Sequence, residues 1–207
     1  SMRGLTQRLE VARSYRGAWL RPSNFESFWE TSVVFAQNAQ VKSAVELPSA
    51  TQAATFKRIT FTSTDQTQLR ARVILPAGVS VAESLAAAEL PASAKLPAVV
   101  LFSDLGRGVR SWLHLLRFSA LGMPVVALEA RPCEALLKDA WRGALTAEEL
   151  AHALINPDDA ASSTLKQLID DALVAASVAS RFLGRTTVTW GEGLGGSQAL
   201  FAAALLP

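Results

Sequence analysis

Two short, unbroken apolar runs, Ala98-Val99-Val100-Leu101-Phe102 and Val125-Val126-Ala127-Leu128, set the terms for this chain. Neither alternates with polar residues, so each needs apolar cover on both faces, as in a parallel strand sandwiched between helices. A third candidate strand, Thr186-Thr187-Val188-Thr189-Trp190, is rich in β-branched residues. Helical stretches are expected between and after these runs, from about Ser111 to Leu121, from about Ala160 to Phe182, and from Ser197 to Leu206. Strands that alternate with helices predict an α/β protein with a mostly parallel sheet and helices on both faces.

Two further features lead into that core. Ser23-Asn24-Phe25-Glu26 reads as a capping box opening a helix of about 16 residues, with Phe25, Phe28, Trp29, Val33 and Val34 on one face. Residues 56–61 and 69–75, separated by the polar turn Ser63-Thr64-Asp65-Gln66-Thr67 and stopped by Pro76, predict a leading antiparallel hairpin with one solvated face. Residues 77–96 read as a surface excursion with a short helix, and residues 131–158 as an elaborated loop. The expected organisation is an N-terminal extension over 1–22 and one α/β domain over 23–207.

Composition narrows the function classes. Of 207 residues, 50% are hydrophobic and 18% charged, which excludes intrinsic disorder. No run reaches the ~18 apolar residues of a spanning helix, so no membrane is expected. The net charge of +2, from 20 basic and 18 acidic residues, gives no basic surface for nucleic acid. Cys133 is the one cysteine, and the two histidines, His114 and His152, stand at no metal-ligand spacing, so neither metal nor cofactor is expected. Both histidines read as surface or packing residues, and Cys133 as a small loop residue. Ser1-Met2 reads as the scar of a removed tag, which leaves room for a lost leader; with no signal segment in the sequence the location stays open and a cytoplasmic one is favoured.

The turn Trp190-Gly191-Glu192-Gly193-Leu194-Gly195-Gly196 joins the third strand to the last helix. In α/β-hydrolases that junction is the nucleophile elbow, G-x-S-x-G, whose outer glycines let strand and helix approach closely. Here Gly191 and Gly195 hold the outer positions and Gly193 the apex, a residue that adopts the strained backbone without a β-carbon to clash. Two other readings stay open at this point: a phosphate-binding turn, although it lacks the P-loop lysine, and a plain tight turn.

The order of features resembles the acetyl xylan esterase and cephalosporin-C deacetylase family of carbohydrate esterases. Phe28-Trp29-Glu30, the hairpin ending in Leu75-Pro76, strand 98–102, Glu129-Ala130-Arg131, Leu154-Ile155-Asn156-Pro157, Asp171-Ala172 and the elbow follow one another from about residue 22 to the end. The resemblance aligns Glu129 and Arg131 with the family's D-x-R-G-x-G run, whose remainder reads Pro132, Cys133 and Glu134 here. The family's I-L-D-P has Asn156 for its aspartate. A tyrosine of the oxyanion loop falls on Leu105, and S-Q-G-G at the elbow becomes Gly193-Leu194-Gly195-Gly196.

The resemblance therefore implies an α/β-hydrolase fold whose chemical positions have changed. The expected site comprises Gly193 as an apex without a nucleophile, with Asp104, Leu105 and Leu194 around the oxyanion position. Asp104 there would carry the wrong sign for ester hydrolysis, or would simply cap its loop. Ser197, in Gly196-Ser197-Gln198, is the fallback nucleophile. Arg131 is expected to pair with acids near the elbow, and Trp112 and Trp141 to line a pocket. In this fold the acid and histidine follow the nucleophile, yet none of residues 197–207 is acidic or a histidine. The later strands are thus expected to be missing from this chain, or supplied by another. The leading expectation is a catalytically impaired family member. Its rivals are an active carbohydrate deacetylase using Ser197 and a non-catalytic module that binds acetylated sugar or assembles. The expected partners are an acetylated carbohydrate or small ester and a homo-oligomer.

Overall fold

The structure, a computed structural model, describes residues 22–48, 51–81, 96–104, 109, 115–129, 131 and 146–206. The chain opens with α1 (Phe25–Asn38), which buries Trp29, Ser32 and Ala36 at helical spacing against α4 (Thr164–Leu183). The expected capping box at Ser23 does not form. Asn24 is the N-cap and makes no side-chain capping bond; the Phe28 amide donates to the Asn24 carbonyl at 2.9 Å instead.

Three antiparallel strands follow, β1 (Ser43–Leu47), β2 (Ala54–Thr62) and β3 (Gln68–Pro76). β2 and β3 are the expected hairpin, in register from Ala54 opposite Pro76 to Thr62 opposite Gln68. β1 was not expected. It lies at the sheet edge with Val45 57% exposed, so its backbone ladder to β2 and not apolar burial holds it. A strand held that way leaves little hydrophobic signal.

The core strands are β4 (Ala98–Phe102), β5 (Val125–Leu128) and β6 (Thr187–Gly191). They complete a six-stranded mixed sheet of order β1-β2-β3-β5-β4-β6, with β4 parallel to both β5 and β6 and β3 antiparallel to β5. Every residue of β4 and β5 is buried, as their unbroken apolar runs require. Val100, Phe102, Val126 and Leu128 face α4 and α1, while Leu101, Val125 and Ala127 pack on the other side with Leu115. The fold is α/β-hydrolase-like.

The remaining helices refine the expected boundaries. The described part of the 111–121 stretch is helical over α2 (Leu116–Ser119). Within 131–158 the sequence reading missed α3 (Ala147–Leu154), capped at Thr146 by the reciprocal Thr146–Glu149 capping box. The long helix begins at Thr164, because Ser163 turns the backbone extended after a 3-10 turn at Ala160–Ser162. It ends at Gly184 in the left-handed conformation, whose neighbour Arg185 donates its amide to the Ser180 carbonyl at 3.1 Å. The last helix, α5 (Leu194–Leu205), starts three residues before the expected Ser197.

Candidate functional site

Gly193 is the reason α5 starts early. Its φ of +56° and ψ of −125° turn the chain out of β6 and directly into helix, a conformation glycine takes without a steric cost. Its carbonyl then accepts from the Gly196 amide at 3.0 Å. The flanking glycines are required by contact instead of dihedral angle. A β-carbon on Gly191 would fall on the Gly195 carbonyl, and one on Gly195 would fall on the Phe102 carbonyl. The end of β4, the end of β6 and the first turn of α5 therefore meet backbone to backbone.

The parallel register brings a second residue to this point. Phe102 lies opposite Gly191, and each chain continues two residues further, to Asp104 and to Gly193. The Leu194 amide donates to the Asp104 carboxylate at 3.1 Å. The same carboxylate fills the space beside the Gly193 α-carbon, so that a β-carbon built there would overlap it. A helix N-terminus favours a carboxylate in this place, through its unpaired amides and its dipole. The sequence places Asp104 and Gly193 in one site as separate features; their contact follows from the equal two-residue overhang beyond the paired ends. This is the carboxyl edge of a parallel pair of strands, where α/β sheets place their ligands.

Ser197 is the fourth residue of α5, one turn beyond the apex and half-buried. Its neighbour Gln198 is buried and donates to the Leu168 carbonyl at 2.6 Å, while the Thr189 hydroxyl donates to the Ala199 carbonyl at 2.8 Å; these bonds fix α5 on α4 and β6. Leu194 is half-buried at the start of α5. Leu105, Trp112, His114, Cys133 and Trp141 lie outside the described residues. His152 is exposed on α3, 3.9 Å from Glu148, and borders a cavity of about 210 Å³ with Ile155, Asn156, Pro157 and Ser162. Asn156 accepts the amides of Asp158 and Asp159 at 3.1 and 3.3 Å, so it shapes the turn before α4.

Arg131 is buried and paired, but its acids are not at the elbow. Its guanidinium meets Asp171 of α4 through two bonds of 2.8 and 2.7 Å and Asp65 of the hairpin turn through two of 2.5 and 3.2 Å. The Ser63 hydroxyl also donates to Asp171. Three donors on the two oxygens of Asp171 are an arrangement suited to a carboxylate, which is acceptor-only. The hydrogen bonds from Arg131 hold Asp65 down at about 2. Burial pushes the Asp171 carboxyl above its ordinary value, against the pull of Arg131, and the Asp171 and Asp65 hydrogen bonds raise Arg131 in turn. Beside this cluster Lys166 bonds both oxygens of Asp170 and the Ser32 hydroxyl, and lies 4.9 Å from the Trp29 ring. Together these groups tie hairpin, α1 and α4 into one frame. Trp190 is half-buried in the structure, with the Arg117 guanidinium 4.5 Å above its ring.

Among the described residues no three His, Cys, Asp or Glu side chains are grouped to hold a metal, and no helix is long and apolar enough to cross a membrane.

A family model described as Acetyl xylan esterase (AXE1) matches residues 2–207. No curated protein matches the chain. Among solved structures the chain is similar to acetyl xylan esterase 1 from Thermoanaerobacterium sp. JW/SL YS485, at 22% identity and a TM-score of 0.71, over 96% of this chain and 60% of that one. It is also similar to an acetyl xylan esterase from Paenibacillus sp. R4, at 20% identity and a TM-score of 0.66, over 95% of this chain and 60% of the other. A putative acetyl xylan esterase from Bacteroides fragilis NCTC 9343 matches at 12% identity and a TM-score of 0.53, over 100% of this chain and 58% of the other. At these identities the likeness is one of fold, and the chain spans about 60% of the length of the first two structures.

Proposed function

Because the chain belongs to the acetyl xylan esterase family, we propose that it is a non-hydrolytic member of that family, an α/β-hydrolase scaffold whose elbow carries no nucleophile. The observation that carries this reading is Gly193 itself: a strand-to-helix apex with φ +56° and no side chain. Serine ester hydrolysis needs an oxygen at that apex, placed to attack the acyl carbon and to pass its proton to a base. A hydrogen atom stands there instead. Ser197 offers a poor substitute, since it is part of the α5 helix one turn away and its backbone is not at the bend. The role left to such a scaffold is to bind an acetylated carbohydrate or small ester, or to assemble with a second copy.

Incubation of the protein with an activated acetyl ester and with a phosphonate serine probe tests this. The expected result is no turnover beyond that of Ser197→Ala and no covalent label. Turnover that disappears in Ser197→Ala, or label on any serine, would establish an active deacetylase and overturn the reading. Calorimetry with acetylated xylo-oligosaccharides then separates a binding role from assembly alone.

A further inference from the structure

We propose that Asp104 is the resident occupant of the oxyanion position, so that the site is closed by the chain itself as well as stripped of its nucleophile. The inference rests on the reading of residues 190–196 as a hydrolase elbow. In an active elbow two things meet at the first residue of the helix. The nucleophile's β-carbon rises from the apex, and the amide of the following residue donates to the acyl oxygen as charge develops on it. In this protein one group takes both places. The Asp104 carboxylate accepts the Leu194 amide at 3.1 Å, and it lies where a β-carbon on Gly193 would have to be.

Three features make this more than a helix cap. The carboxylate comes from the end of β4, the neighbouring parallel strand, and the register of Phe102 with Gly191 fixes its position opposite the apex. Its occupancy depends on a bare α-carbon, since a serine β-carbon and this carboxylate cannot share the space. Its charge also repels the negative charge that an acyl oxygen acquires at the same amide. An external acetyl group therefore finds the donor taken, the volume filled and the sign reversed, so an acetylated sugar bound by this scaffold does not seat its acetyl group at the elbow. Restoring a serine at the apex does not by itself restore the site.

The test has a binding arm and a stability arm. In the binding arm acetate, the small carboxylate that mimics the acyl group, is titrated while the Leu194 amide resonance is followed. The wild type and Asp104→Asn, which keeps an acceptor in place, are expected to show no acetate-dependent shift at Leu194. Asp104→Ala is expected to show a saturable one, and exchange of the Leu194 amide proton rises about tenfold when its acceptor is removed. In the stability arm Gly193→Ser lowers Tm in both backgrounds, because a side chain at φ +56° is strained whatever the space around it, and lowers it by about 2 °C or more beyond that in the wild type, where the Asp104 carboxylate also has to move.

A saturable Leu194 shift with acetate in the wild type would overturn the proposal, as would an equal Gly193→Ser penalty in both backgrounds. The wild-type titration decides the matter even where a variant does not fold. Ser197-dependent ester turnover would refute the non-hydrolytic reading, whereas the acetate titration reads the Asp104–Leu194 contact without any turnover, so the two failures are distinguishable.

Discussion

A β-carbon at Gly195 falls on the Phe102 carbonyl, whereas one at Gly196 meets nothing nearer than the Gly191 carbonyl at 3.5 Å. Two adjacent glycines of one helix turn should thus answer the same substitution with opposite signs. Helix propensity alone favours alanine over glycine by about 1 kcal/mol at either position. Gly196→Ala is expected to gain about 0.5 kcal/mol in urea unfolding. Gly195→Ala should lose about 3 kcal/mol or more, because backbone has to move to admit it. Equal effects at the two positions would show that α5 does not press on the end of β4. The glycine pattern was legible in the sequence because close approach and a left-handed apex admit few other residues. The Asp104 contact was not, since nothing in a loop aspartate declares which helix it reaches.

At the scale of elements, the hairpin turn, the segment at Arg131 and α4 are joined by a single guanidinium fork. Arg131→Ala leaves Asp65 and Asp171 facing each other without a cation, and should cost about 3–5 kcal/mol in denaturant unfolding. Arg131→Lys should recover only part of that, because an ammonium cannot make both two-bond contacts. Asp65 also gives the fold a sign-defined pH response. Its folded-state value of about 2 lies below the ordinary 3.8, so its contribution is complete above about pH 4 and is lost as pH falls toward 2. Partial exposure and screening limit that contribution to about 1 kcal/mol. Asp171 acts the other way: burial raises it, so its contribution declines as pH climbs from 3.8 through its raised value. Subtracting the stability–pH profile of Asp65→Asn from that of the wild type isolates the first effect. If the difference does not shrink between pH 4 and 2, the Arg131–Asp65 contact is not held in solution. At α3, which buries no residue, Thr146→Ala should speed amide exchange over 147–154 several-fold and leave global unfolding nearly unchanged. That helix is short and buries none of its residues, so its signal is weak, although the Thr146–Glu149 spacing and the apolar Ala147, Leu150, Ala151 and Leu154 at helical intervals are there to be read.

Across the whole molecule, the parts buried on both faces were the ones that could be read: β4 and β5 have no choice but to be interior strands, and β3 follows as their antiparallel neighbour. The parts held by backbone pairing or by side chains far apart in sequence, β1 at the edge and the acids that Arg131 selects, leave no local pattern and are visible only in the fold. The site belongs to both classes. Its bend is written in three alternate glycines, and its closure in a register between strands 89 residues apart at Phe102 and Gly191. That proposed closure bears on how the two positions could change. With Asp104 seated over a bare apex, a lineage that placed serine there first would meet a strained backbone and a carboxylate in the way, and one that shed the aspartate first would forfeit a helix contact with nothing in return. On the proposed reading neither single step is rewarded, so the two positions hold each other in place like a key left turned in its lock.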